Sequence, residues 1–202
     1  MYPQTINKLI DCLKKLPSVG PRTAERFVFH WLMSGKKEVN DLREALSHML
    51  TNIKSCKTCW NFSDISPCAI CQDKKRNTGM ICVVSEPPDI QSIEKIDGFH
   101  GLYHVLRGQL ELDNQEESLN QLKINELKQR ITVNKNEIKE IVLALNPDLP
   151  GETMMMYLKK ELQKLRPDLK ITRLARGLPL GSDLQYADDI TLTSAWQNRK
   201  EM

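Results

Sequence analysis

Several features are missing from this chain, and each absence narrows what it can be. No stretch approaches 18 consecutive apolar residues, so no membrane-spanning helix is expected. The opening Met1-Tyr2-Pro3-Gln4-Thr5 has neither a basic nor an apolar leader region. No secretory signal is therefore expected, and the chain reads as cytoplasmic. No Gly, four residues, then Gly-Lys-Ser/Thr run is present, so ATP use is not indicated. One sign of charge does not dominate. The 29 Lys/Arg against 26 Asp/Glu leave only +3 over 202 residues, which excludes a histone-like polycation. Compositional bias is absent too: 40% hydrophobic and 27% charged residues exclude a collagen-like, mucin-like or wholly disordered chain. The length allows one large or two small domains.

What charge there is lies unevenly. Residues 1–80 hold 13 Lys/Arg and 7 Asp/Glu, while residues 81–202 hold 16 and 19. A basic front half points to a polyanion partner there, or to no more than two solvated surfaces.

The front reads as helices. Ile6, Leu9, Ile10 and Leu13 have helical spacing over residues 4–15. Leu16-Pro17-Ser18-Val19-Gly20-Pro21 breaks the pattern, with Gly20 able to take a positive φ. A second helix is predicted from Pro21 to Met33. A third is predicted over 39–54, with Val39, Leu42, Leu46, Met49, Leu50 and Ile53 on one face. Helix, short hairpin, helix is the pattern of a helix-hairpin-helix motif. Where the second helix begins, unpaired backbone N–H groups and a positive dipole end favour a phosphate. Gly20 allows close approach, and Arg22 and Arg26, four apart, share a face that can reach flanking phosphates. Contacts of that kind are independent of base sequence and sensitive to salt. The alternative is a plain helical hairpin with solvated arginines. Phe27, Phe29, His30 and Trp31 are expected in the core or at a dimer contact.

Six cysteines are present, four of them in two Cys-x-x-Cys pairs: Cys56 with Cys59, and Cys68 with Cys71. Outside a secretory context this spacing favours metal over disulfides. Four thiolates make a closed tetrahedral zinc site, structural rather than catalytic. The eight residues between the pairs are too few for a core, so the metal must supply folding energy. Cys12 and Cys82 are expected to be small buried residues.

The back half alternates strand and helix. Strands are predicted at 80–84, 102–106, 140–145 and 170–174. Helices are predicted at 88–96, 119–130, 151–165 and from Asp188 or Asp189 toward Asn198, with a polar loop over 111–118. The alternation argues for a parallel sheet covered by helices. Glu86 follows the first of these strands, and Asn146, Asp148 and Glu152 follow the third. Carboxylates at strand C-termini can hold Mg²⁺, or they can simply cap helices.

Taken in order, LPSVGPRTAERFVFHWL, the four cysteines, ICVVSEPPDI, GLYHVLRG, LALNPDLPGET and ITRLARGLPLGSDLQYADDITLTSAW resemble the RecR family of bacterial recombination mediators over residues 4–199. The resemblance implies an α+β chain of four parts. These are a helix-hairpin-helix domain (1–54), a four-cysteine zinc motif (55–77), an α/β Toprim domain with a parallel sheet (78–175) and a Walker-B-like C-terminal segment (176–202). It implies DNA-contacting positions at Gly20, Arg22 and Arg26, and one structural zinc held by Cys56, Cys59, Cys68 and Cys71. It also implies a role in DNA repair: binding single- and double-stranded DNA without sequence preference, acting with RecO and RecF, and helping to load RecA. Dimers or ring-like tetramers, in the cytoplasm at the nucleoid, are expected. The chain departs from the general Toprim pattern. Ser85 holds the place of the first Glu, with Glu86 one position on. Asn146-Pro147-Asp148 stands for Asp-x-Asp, and Pro150 precedes Gly151-Glu152. Mg²⁺ binding, and with it phosphoryl transfer, loses support. A DNA-binding scaffold without turnover is therefore preferred over a Toprim-type metal-dependent enzyme or a zinc adaptor that binds only proteins. The tyrosines, Tyr2, Tyr103, Tyr157 and Tyr186, offer no nucleophile on a separate swinging domain.

Overall fold

The computed structural model describes residues 2–96, 98–199 and 201. Met1 and Met202, the outer ends of the terminal domains expected from sequence, lie outside the described residues. The chain forms two compact units, Met1–Ile53 and Lys54–Met202. Among the described residues, no helix is long and apolar enough to cross a membrane.

The first unit is three helices: α1 (Gln4–Leu13), α2 (Pro21–Ser34) and α3 (Lys36–Asn52). Its core is small: Ile10, Ala24 and Val28 are buried, with Ile6, Leu13 and Val19 packed against them. Pro21 opens α2, where a missing N–H costs nothing. The left-handed residue of the hairpin is Ser18, at φ +63°, and not Gly20. Gly20 sits at φ −82°, ψ 172°, extended backbone open to any residue. The third helix exists as expected, but none of its residues is buried. Phe27 is exposed, Phe29 and Trp31 are half-buried, and exposed His30 lies 3.3 Å from the Glu38 carboxylate. The buried stripe of α2 runs through Ala24 and Val28, so these neighbours fall beside it. Cys12 is exposed as well, because Ile6, Ile10 and Leu13 define the inward face of α1.

The second unit is built on a four-stranded, all-parallel sheet. Its strands are β3 (Asn77–Val84), β4 (Gly101–Val105), β5 (Glu140–Ala144) and β6 (Lys170–Arg173), in spatial order β4-β3-β5-β6. Both faces of β3 are covered, and its residues alternate between two cores. Ile81 and Val83 join Ile141 and Leu143 under α7 (Ile124–Val133) and α8 (Leu149–Leu165). Cys82 and Val84 join Tyr103, Val105 and Ala144 under α5 (Pro87–Glu94), with Trp60 and Ile70 of the cysteine region packed there too. Arg76 fastens this face by pairing its guanidinium with Glu94, which also accepts from the Tyr103 hydroxyl at 2.6 Å. The Arg76 charge holds the Glu94 carboxyl below its usual range.

Two local expectations are corrected. Residues 111–118 are not a loop: a 3-10 turn at Leu112–Asn114 leads into α6 (Gln115–Gln121), whose first turn carries Glu116 and Glu117 at the positive dipole end. The single helix expected over 119–130 is broken after Gln121. There the Lys123 N–H leaves the helical ladder and donates to Leu106 O at 2.8 Å. Burial of Ile124, Leu127 and Ile131 then starts α7 on its own axis. The final helix, α9 (Asp189–Gln197), is capped by Asp188, whose carboxylate accepts from Thr191 N–H at 2.8 Å.

Candidate metal centre and nucleic-acid interface

The four cysteines converge. Their Sγ atoms all lie within 4.8 Å of one another, with Cys59–Cys68 at 3.5 Å and Cys56–Cys71 at 4.0 Å. A tetrahedral zinc with bonds of about 2.3 Å needs sulfur–sulfur edges of about 3.8 Å, so the spacing fits. Each Cys-x-x-Cys pair is closed by one turn: Trp60 N–H donates to Cys56 O at 2.9 Å and Gln72 N–H to Cys68 O at 3.0 Å. Cys68 N–H also donates to Cys56 Sγ at 3.3 Å, a contact that stabilises a thiolate. Hydrogen bonds with Cys59 and Cys68, together with burial, push the Cys71 thiol far above its usual range. A cation among the four sulfurs would favour the thiolate form of all four. Three of the four cysteines are buried, so zinc here would be structural, fixing a loop that has no core of its own.

Sequence reading did not reveal how this knuckle is held. It contains a two-stranded ladder, β1 (Lys54–Ser55) with β2 (Phe62–Ser63), and one helical turn, α4 (Ala69–Gln72). Val105 N–H, at the end of β4, donates to Cys59 O at 2.8 Å. Arg107 Nε donates to Trp60 O and its terminal nitrogen to Ser55 Oγ, each at 2.6 Å. Trp60 and Arg107 both hold left-handed backbone, φ +64° and +70°, which costs each about 1–2 kcal/mol. Lys123 adds a cation 4.5 Å from the Trp60 ring centre. The Leu-Arg-Gly after a strand was the only local signal, and nothing in it names the distant partner.

In the first unit, Gly20 precedes α2, and a Cβ there would meet nothing within 4 Å, so the backbone is open to a ligand. Arg22 and Arg26 follow on α2, both exposed, and neither makes an ion pair among the described residues.

Glu86, Asn146, Asp148 and Glu152 are brought to one edge, and the carboxylates of Asp148 and Glu152 have other work. Glu86 and Asn146 follow adjacent strands, β3 and β5, at their C-terminal ends. Glu86 precedes α5, and its N–H donates to the Asp89 carboxylate at 2.8 Å, within a capping box. Asp148 caps α8, accepting from Gly151 N–H at 2.8 Å. Glu152 pairs with Arg173 at 3.0 Å and with Arg176. Among the described residues, the cysteines are the only group of three or more potential ligands close enough to hold a metal. The acidic edge thus gives no support to Mg²⁺. Arg173 and Arg176 are site residues that sequence reading missed.

Comparison with known proteins agrees along the whole chain. The RecR helix-hairpin-helix family matches residues 6–50, the RecR four-cysteine zinc finger domain 53–73, the Toprim domain 79–175 and the RecR C-terminal family 177–200. Recombination protein RecR of Clostridium perfringens is 42% identical over 198 residues, spanning 98% of this chain and 97% of its own. Recombination protein RecR of Natranaerobius thermophilus is 42% identical over 203 residues, spanning 100% of this chain and 98% of its own. With the hairpin, the cysteine knuckle, the parallel sheet and the C-terminal helix in the same order and at full length, the chain belongs to the RecR family.

Proposed function

We propose that this chain is a DNA-binding recombination mediator in repair, a clamp without catalytic turnover. In this reading it acts with RecO and RecF to help load RecA onto single-stranded DNA. The observation that carries it is the hairpin. Gly20 is unobstructed before α2, and Arg22 and Arg26 are exposed and unpaired among the described residues. Unpaired N–H groups plus two free guanidiniums suit phosphates and read no bases, so single- and double-stranded DNA are both bound. Want of turnover fits the acidic edge: Asp148 caps a helix and Glu152 is neutralised by two arginines. Assembly into a homodimer or homotetramer fits α3, which buries none of its residues and leaves Leu46, Met49 and Leu50 exposed. Zinc, one per chain, is a structural element of the knuckle.

The test is fluorescence anisotropy of labelled DNA carrying a single-strand/double-strand junction. Wild type and an Arg22→Ala/Arg26→Ala double variant are titrated with and without RecO at two salt concentrations. Wild-type binding that weakens with salt, and fails in a folded variant, is expected. Equal behaviour of the two proteins would make the front helices an oligomer interface and the chain a protein-only adaptor. Magnesium-dependent plasmid relaxation or primer synthesis by wild type would make it an enzyme.

A further inference from the structure

A crevice of about 640 Å³ separates the cysteine knuckle from the start of α5, and it contains none of the residues assigned to phosphate contact. Its walls carry Asn61, Phe62, Glu86, Pro88, Gln91 and Arg107. Phe62 leaves 54% of its surface exposed, although it lies in the β1–β2 ladder. Its ring is held from one side: the Arg107 guanidinium lies 3.6 Å from the ring centre. Arg107 is itself fixed by its hydrogen bonds to Trp60 O and Ser55 Oγ. The result is a rigid aromatic plate backed by a cation. Around it stand hydrogen-bonding groups of both kinds. Asn61 Oδ1 already accepts from Phe62 N–H at 2.8 Å, which leaves its amide NH₂ as a donor. Gln91 offers a second amide, and exposed Glu86 an acceptor.

This combination selects against two ligand classes. A phosphate would meet the Glu86 carboxylate, and the Arg107 guanidinium already serves neutral acceptors and the ring. A peptide strand would need an open sheet edge, and β2 offers two residues. A flat, neutral ring with donors and acceptors on its rim suits every wall. We propose that this crevice takes one unpaired nucleobase of single-stranded DNA, stacked on Phe62. Asn61, Gln91 and Glu86 meet its edge. In a duplex the base faces are covered, so the site distinguishes single from double strands. The inference rests on the DNA-binding reading above and adds strand preference to it.

The test uses the full-length zinc-loaded protein and single-stranded DNA carrying 2-aminopurine, whose fluorescence falls on stacking. Wild type should quench it. Phe62→Ala should lose the quench and bind single strands about tenfold more weakly, the usual scale of one base–aromatic stack, with blunt-duplex affinity unchanged. Phe62→Tyr should retain both properties. Zinc content reports whether the knuckle survives. If Phe62→Ala loses zinc, Gln91→Trp, which fills the crevice from α5, should abolish the quench instead. Equal quenching and affinity in wild type and the crevice variants overturns the proposal. So does a Phe62→Ala variant that loses a protein partner but keeps single-strand binding. Failure of wild type to bind any DNA is a different result: it removes the DNA-binding reading itself.

Discussion

His104 sits in β4 fully buried, with Nε2 donating to Lys123 O at 2.7 Å and Nδ1 without a partner among the described residues. Burial pushes its pKa down to about 4. The folded value is thus below the unfolded one, near 6.5, so the unfolded chain binds the extra proton as pH falls. Stability is undiminished above about pH 6.5 and declines from there toward pH 4, by about 3 kcal/mol in all. Urea unfolding of wild type and His104→Gln should therefore differ by about 1 kcal/mol less at pH 5.5 than at pH 7.5. A difference that ignores pH sinks the claim. Gly151 makes a second residue-scale case. A Cβ there would lie 2.0 Å from Asn146 O, a backbone atom, so the chain itself would have to shift. Gly151→Ala should cost about 2–4 kcal/mol, or shift the α8 start enough to release the Asp148 cap, read as a lowered urea midpoint. Ser18 teaches the converse. It, and not Gly20, carries the hairpin's left-handed turn, at a steric cost that glycine would not meet.

At the scale of elements, the knuckle is part of the wall of the sheet. Trp60 and Ile70 cover Cys82, Val84 and Tyr103, and the Cys59 and Trp60 carbonyls accept from the end of β4 and from Arg107. Metal removal should therefore be felt beyond residues 54–72. Chelation of zinc, or Cys59→Ser, should expose Trp60, red-shift its emission and lower the melting temperature of the whole sheet unit. A chelated protein with unchanged tryptophan emission and unchanged melting would show that the sheet stands without its metal-bound wall. Arg107→Ala should reproduce part of the effect while leaving the zinc bound. It removes two hydrogen bonds and the ring contact, about 2–3 kcal/mol in all.

At the scale of the whole molecule, the first unit is short of core. Among the described residues of this unit three are buried, while Leu46, Met49 and Leu50 of α3 are 51%, 52% and 79% exposed. A run of apolar groups facing water at helical spacing is a surface awaiting a partner. If the proposed homo-oligomer forms through this face, Leu46→Lys/Leu50→Lys should convert it to monomer in sedimentation equilibrium. An unchanged mass would place the assembly surface elsewhere.

The sequence by itself determined whatever depends on neighbours along the chain. Apolar period fixed the helices of the first unit and the four strands of the sheet. Cysteine spacing singled out the four thiols that the fold brings within 4.8 Å of one another, because two one-turn loops a few residues apart can close on a single ion. Tertiary structure alone decided what depends on partners far apart in number. Arg107 meets Trp60, Glu152 meets Arg173 and Arg176, and α6 separates from α7 because Lys123 bonds to Leu106. The same limit explains the acidic edge. Asp148 and Glu152 look alike as carboxylates in a string of letters. Only the folded chain shows one accepting a helix N–H and the other held between guanidiniums, because hydrogen bonding and charge act through space rather than along the sequence.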